Sequence, residues 1–281
     1  MKKVASPFIK LFVTNRYTWN ICMFIMRLAE WFRFERSCHD HQIAEQSLIT
    51  HFNDLVVTDG FFKGLKYPGF NSFGSSLFPK LSGTYENELI PMFEKIQTNK
   101  YNSIIDIGSA EGFYANGLAL KFPQSNIYAF DIEEVAQLLC KEMSVINGVE
   151  NRVFVNGICT NIWLSSFDFE QKSLIICDCE GFEINLFDNF NVSNLSSCDL
   201  IIEMHPMFER TVKPYLTELF KNTHRLEFIS SFDDNRKIFD LPTQYASFNN
   251  LEKIKLVQEG RAFTMEWMIA FANTNISSAL N

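Results

Sequence analysis

Four ionisable residues close two apolar runs of this 281-residue chain. "SLIICDCEG" ends with Asp178 and Glu180, and "DLIIEMHP" ends with Glu203 and His205. Within each pair the side chains are two positions apart, so in extended backbone both members face the same way. Two kinds of chemistry suit such a convergence. A histidine with a pKa near neutrality accepts a proton from a hydroxyl nucleophile, which makes His205 the candidate base, Glu203 the carboxylate that orients its imidazole, and Asp178 a third catalytic candidate beside them. In the second solution, carboxylate oxygens of Asp178 and Glu203 hold a divalent cation such as magnesium, and the metal acidifies a bound hydroxyl. Each group also has a plainer role: Asp178 and Glu180 as cap and first-turn acids of a helix beginning near Gly181, and His205 as a strand-end residue before Pro206.

A second constellation could hold a ligand. "IIDIGSAEGFYANGL" (104–118) joins an apolar run to a helical pattern through Gly108 and Gly112, leaving backbone N–H groups and a bare glycine surface for close approach. The dinucleotide fingerprint G-x-G-x-x-G is matched only in part, because Ala110 stands at the intervening small position. Asp131 closes the next apolar run, 23 residues beyond Gly108, where a carboxylate accepts both hydroxyls of a ribose. Capping of the following helix is the alternative use of that acid.

The elements that must position these residues follow from short apolar runs alternating with helical spacing, the pattern of a parallel sheet with crossover helices. Strands are expected at 103–108, 126–132, 152–157, 173–179, 199–205, 225–231 and 263–272. Helices are expected at 112–121, 134–147, 182–190 and 212–222, with Pro123 and Gly148 as stops. The last run lacks the helix-length spacer a parallel crossover needs and is expected as an antiparallel partner of the sixth strand. The fold class is therefore α/β, a Rossmann-like seven-stranded sheet with its last strand antiparallel and helices on both faces. Residues 1–100 read as a mostly helical N-terminal extension ending in a lid-like stretch, "GFFKGLKYPGFNSFGSSLFPKLSGTYENEL", punctuated by five Gly and two Pro. Residues 101–281 form the ligand-binding domain.

Composition narrows the partners. A formal charge of -8 with no block of like charges argues against nucleic acid. Seven cysteines, an odd count without a repeating framework, point to reduced thiols and the cytoplasm. The charged start has a signal-like look, but Pro7 and Lys10 interrupt its apolar part. "YTWNICMFIMRLAEWF" falls short of the ~20 apolar residues of a membrane span and reads as an amphipathic helix that docks on a core, on a partner such as a second copy, or on a membrane surface. "CHDH" (38–41) has no second ligand pair at finger spacing and reads as a solvated helix end or loop. Cys177 and Cys179 read as packing residues, and the 29 phenylalanines as core filler or the lining of an apolar cleft. In "SGTYENEL", Thr84 suits an N-cap, Glu86 and Glu88 a first turn, and Pro91 a kink or restart.

"IIDIGSAEGFYANGLA", "IYAFDIEE", "LIICDCEGFE" and "DLIIEMHP", in that order and spacing, resemble the class I S-adenosylmethionine-dependent methyltransferases, and more narrowly their FkbM-type branch, whose fourth strand ends in a D-x-E-G pattern. The resemblance covers roughly residues 82–272 and implies a seven-stranded sheet with the last strand antiparallel. It implies that Asp106, Gly108, Ser109, Glu111 and Gly112 surround the methionine part of S-adenosylmethionine. Asp131, with Ile132 beside it, takes the ribose, and Gly157 and Ile158 lie near adenine, where many relatives carry a polar residue and this chain does not. Related enzymes carry a similar G-T-Y-E segment, which brings Tyr85 and Glu86 over the methionine end, with Asp178 also beside the cofactor. The ends of strands four and five resemble those that supply ligands in metal-dependent O-methyltransferases. The implied activity is O-methylation of a small hydroxylated acceptor, such as a sugar or glycan. A NAD(P)-dependent oxidoreductase and a non-catalytic interaction protein with a relic pocket are the alternatives.

Overall fold

In the computed structural model, residues 7–169, 172–261 and 263–273 are described. The charged start of the chain (1–6) lies outside them. Each expected strand is present: β1 (Ser103–Ile107), β2 (Asn126–Phe130), β3 (Val153–Asn156), β4 (Ser173–Cys177), β5 (Asp199–Met204), β6 (His224–Ser230) and β7 (Glu266–Ala272). They form one sheet in the order β3-β2-β1-β4-β5-β7-β6. β1 to β5 pair in parallel, whereas β7 runs antiparallel to both β5 and β6 and lies between them. The last strand thus pairs with the sixth as expected, and with the fifth as well.

Apart from β6, which is shifted by one residue, the strands are shorter than their apolar runs. β1 stops before Gly108, β2 before Asp131, β4 before Asp178 and β5 before His205, so Asp131, Asp178, Glu180 and His205 stand just past the sheet while Glu203 stays within β5. β7 begins at Glu266 rather than at 263.

The helices are α1 (Pro7–Thr14), α2 (Arg16–His51), α3 (Leu77–Ser82), α4 (Ile90–Ile96), α5 (Phe113–Lys121), α6 (Glu134–Ile146), α7 (Asn161–Ser166), α8 (Glu183–Leu186), α9 (Val212–Phe220), α10 (Asp234–Lys237) and α11 (Asn250–Val257). The helix expected over 182–190 shrinks to α8. Its reason is local: Asp188 Oδ1 accepts the backbone N–H groups of Phe190 (2.8 Å) and Asn191 (3.1 Å), a turn that competes with helix continuation. α11 starts on a capping box between Asn249 and Glu252, a signal the hydrophobic pattern alone does not carry. In "SGTYENEL", Thr84 does not cap: its hydroxyl donates to Leu256 O (2.6 Å), and a short 3-10 turn (Asn87–Leu89) precedes α4, where Pro91 sits in the first turn without breaking it.

Alternation along β1 buries both faces of the sheet. Ile105 and Ile107 join a cluster with Leu186 of α8 and Leu216 and Phe220 of α9, while Ile104 and Asp106, aimed the other way, are equally buried where α5 packs against β1 and β2.

The chain divides into two compact units, 1–51 and 52–281. Residues 52–100 pack with the sheet through their aromatic side chains: Phe62 meets Phe113 and Tyr114 of α5 edge-on, and Phe93 lies against Phe62 and Tyr114. The first unit holds α1 and α2. "CHDH" falls inside α2, not at a helix end or in a loop. Among the described residues no helix is long and apolar enough to cross a membrane.

Candidate active site

One cavity of about 680 Å³ opens at the carboxyl ends of the parallel strands. Gly108, Ser109 and Ala110 after β1, Asp131 and Ile132 after β2, and Gly157 and Ile158 after β3 line it on one side. Asp178 and Glu180 after β4, and Glu203 and His205 of β5 and its end, line it on the other. This is where an open α/β sheet receives its ligand. Tyr85 and Glu86 also line it, as does the stretch Phe73–Ser75 from the expected lid.

The glycine turn is shaped by close approach. Gly108 has φ +82°, and a Cβ there would meet the carbonyl oxygen of Asp178 at 1.7 Å, so only glycine fits between β1 and β4. Asp131 stands against this turn: Oδ2 accepts from Ala110 N (2.8 Å) and Oδ1 from Glu133 N (2.9 Å), which fixes the carboxylate with lone pairs to spare. Ser109 Oγ is buried without a partner.

Three of the residues expected at the cofactor do not reach the cavity. Glu111 is buried and its oxygens are taken: Oε1 by Lys80 Nζ (2.5 Å), Ser72 Oγ (2.8 Å) and Tyr67 OH (3.2 Å), and Oε2 by Phe73 N (3.1 Å). The pairing with Lys80 outweighs burial and holds its pKa below the ordinary value. It ties the 67–80 segment to the glycine turn. Gly112 is a packing glycine, its Cβ position facing Asn116 and Cys140 at 2.5 Å. Asp106 lies beneath the turn with Oδ2 unpartnered, and burial raises its pKa to about 8.

The polar ends of β4 and β5 do converge. His205 Nε2 stands 3.4 Å from Asp178 Oδ1, 3.5 Å from Glu180 Oε2 and 3.6 Å from Glu203 Oε2. Its orienting carboxylate, however, is not Glu203. Nδ1 lies 2.6 Å from Oε1 of Glu183, a fully buried residue at the start of α8. Glu203 is drawn elsewhere: its Oε1 accepts from Arg261 Nη1 (2.8 Å), and the same guanidinium reaches Glu86 Oε1 (2.6 Å) and Glu259 Oε2 (2.8 Å). Burial works against charge on His205, but the Glu183 hydrogen bond and the charges of Asp178, Glu183 and Glu180 outweigh it and lift the imidazole pKa. Burial, with Asp178 and Glu86 nearby, also raises Glu203; burial raises Glu86 to about 8 despite Arg261.

No protein-family profile and no curated protein matches the sequence. Solved structures similar to this chain include a precorrin-6y C5,15-methyltransferase from Geobacter metallireducens, at 9% identity over 67% of this chain and 88% of the other, with a TM-score of 0.44. A protein described as the StiE O-MT, residues 942–1257, is 13% identical over 71% and 77%, with a TM-score of 0.43. The MccD protein is 13% identical over 67% and 97%, with a TM-score of 0.41. The fold itself is read from the strand order.

Sequence reasoning missed Glu183, Arg261, Glu259 and Lys80. Glu183 had a signal: in "DCEGFE" it is the third acid after β4, near enough to His205 once the turn at Glu180 (φ +52°) and Gly181 (φ +100°) folds the chain back. Arg261 lies in an irregular stretch before β7 with no pattern to mark it.

Proposed function

We propose that the protein is an S-adenosylmethionine-dependent methyltransferase of the FkbM type that methylates oxygen on a small hydroxylated acceptor, a sugar or glycan among them. The observation that carries this reading is that the glycine turn, Asp131 and the His205 cluster line a single cavity, so a nucleoside ligand and a base face each other. β7 supports it. A nicotinamide-binding sheet of order 3-2-1-4-5-6 is wound without an antiparallel strand inserted beside β5, and the G-x-G-x-x-G match is incomplete.

The residues present fit the cofactor: the cradle at Gly108, the unpartnered Ser109 hydroxyl and the fixed Asp131 carboxylate would hold its adenosyl and methionine parts, with Tyr85, Glu86, Ile132, Gly157 and Ile158 around them. When bound, it supplies a methyl group on a sulfonium, which needs little electrophilic help. What remains is to position and deprotonate the acceptor. A carboxylate accepts hydrogen bonds, so Glu183 places the proton on Nδ1 of His205 and leaves Nε2 to take the proton of an acceptor hydroxyl. Glu183 then stabilises the imidazolium that forms. Arg261 holds Glu203, Glu86 and Glu259 in register, and Phe182 and Met207 add apolar surface to the lining.

A second reading of the same cluster rests on one observation. Asp178, Glu203 and His205 each offer a ligand atom within 4.8 Å of the others. A divalent cation, magnesium in the simplest case, would be held by Asp178 and Glu203 and would acidify the acceptor. Chelator treatment that leaves turnover unchanged removes this reading. The unpaired thiols accord with the cytoplasm as the working compartment.

The test is transfer of a labelled methyl group from S-adenosylmethionine to a panel of hydroxylated acceptors. The expected result is turnover on at least one acceptor, reduced about 10²–10⁴-fold in His205→Ala. Cofactor binding without turnover across the panel would favour a relic pocket.

A further inference from the structure

We propose that the first half of α2 lies on an anionic membrane surface, seated through an aromatic face and held by its arginines. Tyr17, Ile21, Phe24, Leu28 and Trp31 recur at alternating spacings of four and three, which puts them on one stripe of the helix with Ile25 beside it. All six are exposed, from 40% for Leu28 to 81% for Tyr17. At 1.5 Å per residue the stripe is about 21 Å long, larger than the scattered apolar residues of an ordinary surface. The helix cannot cross a bilayer, because Asn20, Arg27, Glu30 and Arg33 interrupt its other faces.

Charge selects the occupant. Residues 1–36 carry seven Lys and Arg against two acids, whereas the remaining residues carry 18 against 31. A surface of anionic lipid therefore attracts this segment and repels the rest of the molecule, which orients the protein as well as holding it. Arg27 flanks the apolar stripe and Arg16 and Arg36 bracket it, where their long stems can lie along the stripe while their charges reach headgroups. Trp31, Tyr17 and Phe24 are side chains that favour the interfacial zone. A second copy is a poorer match. With Ile21 and Leu28 at one seam position and Phe24 and Trp31 at the other, the flanking positions hold Ile25, Arg27, Phe32 and Phe34, which offer no acid for a partner's arginine.

The experiment is flotation of the full-length protein with vesicles of phosphatidylcholine alone and of phosphatidylcholine with 30 mol% phosphatidylserine, a chosen composition of about physiological charge, at low and high salt. The expected result is binding to the anionic vesicles only, weakened by salt. Phe24→Glu with Trp31→Glu should lower the bound fraction at least about tenfold, and Arg16→Glu with Arg27→Glu should do so while keeping the apolar stripe. Both variants should unfold at the wild-type temperature, since the altered side chains are exposed. Equal binding to both vesicle types overturns the charge argument. Absence of vesicle binding overturns the proposal, and a dimer in sedimentation that Phe24→Glu with Trp31→Glu dissolves would then give the stripe to a second copy.

Discussion

His205 is the residue on which the proposed chemistry turns, and its neighbours set the pH at which it works. Glu183, Asp178 and Glu180 lift its pKa above the ordinary histidine value, so the free base forms later on the pH scale than for an isolated imidazole. Turnover in the wild type is expected to rise with pH through that elevated pKa. In Glu183→Gln one hydrogen-bonded charge is gone, the imidazolium loses its support, and the rising limb moves to lower pH while the maximal rate falls. A pH–rate profile of the two proteins checks this; an unmoved limb would mean that another group supplies it. Asp106 gives a second residue-scale expectation. Its folded pKa of about 8 lies above that of an exposed aspartate, so burial contributes no penalty below about pH 4 and an increasing one as pH rises toward 8. Denaturant titrations should show Asp106→Asn flattening the loss of stability between those limits, with a gain on the order of a few kcal/mol at pH 8.

At the scale of elements, the glycine turn and the buried Lys80–Glu111 pair hold the cavity wall. Gly108→Ala sets a methyl group against the backbone of Asp178 in a conformation that L-residues seldom adopt, and no side-chain rotation relieves it. It should lower stability by about 2–4 kcal/mol and open the contact between β1 and β4, read as a reduced Tm and lost ligand affinity. Lys80→Met leaves Glu111 buried without its cation and is expected to cost about 3 kcal/mol, much of it recovered in Lys80→Met with Glu111→Gln; additive losses would show that the pair does not act as a unit. These elements also mark what the sequence tells. Apolar runs bounded by polar residues mark all seven strands and place Asp178, Glu203 and His205 at or near strand ends; the runs are plainest for the parallel strands β1, β4 and β5, which are buried on both faces. The same patterns say nothing of side-chain partners across the fold. Lys80, 31 positions before Glu111, claims its carboxylate, a pairing that nothing in the glycine turn announces. Glu203 lost its expected role to Glu183 for a similar reason: Arg261, 58 residues later, draws Glu203 away, and a left-handed turn at Glu180 brings Glu183 in.

For the whole molecule, the division at residues 51 and 52 places the aromatic segment 52–100 in the same unit as the sheet, where Phe73, Lys80, Tyr85 and Glu86 help to line the cavity. The segment's many turns give it the look of a lid in the sequence, and the edge-on packing of Phe62 on Phe113 and Tyr114 of α5 is a contact between residues far apart in the chain, which no local pattern marks. The central claim is that this cavity binds an adenosyl sulfonium between the glycine turn and Asp131. Calorimetric titration of the full-length protein with S-adenosylmethionine, and separately with NAD, tests it most directly. Saturable binding of S-adenosylmethionine alone, weakened at least about tenfold in Asp131→Ala, is the predicted result; no binding, a preference for NAD, or an Asp131→Ala protein that binds as tightly as the wild type would contradict it.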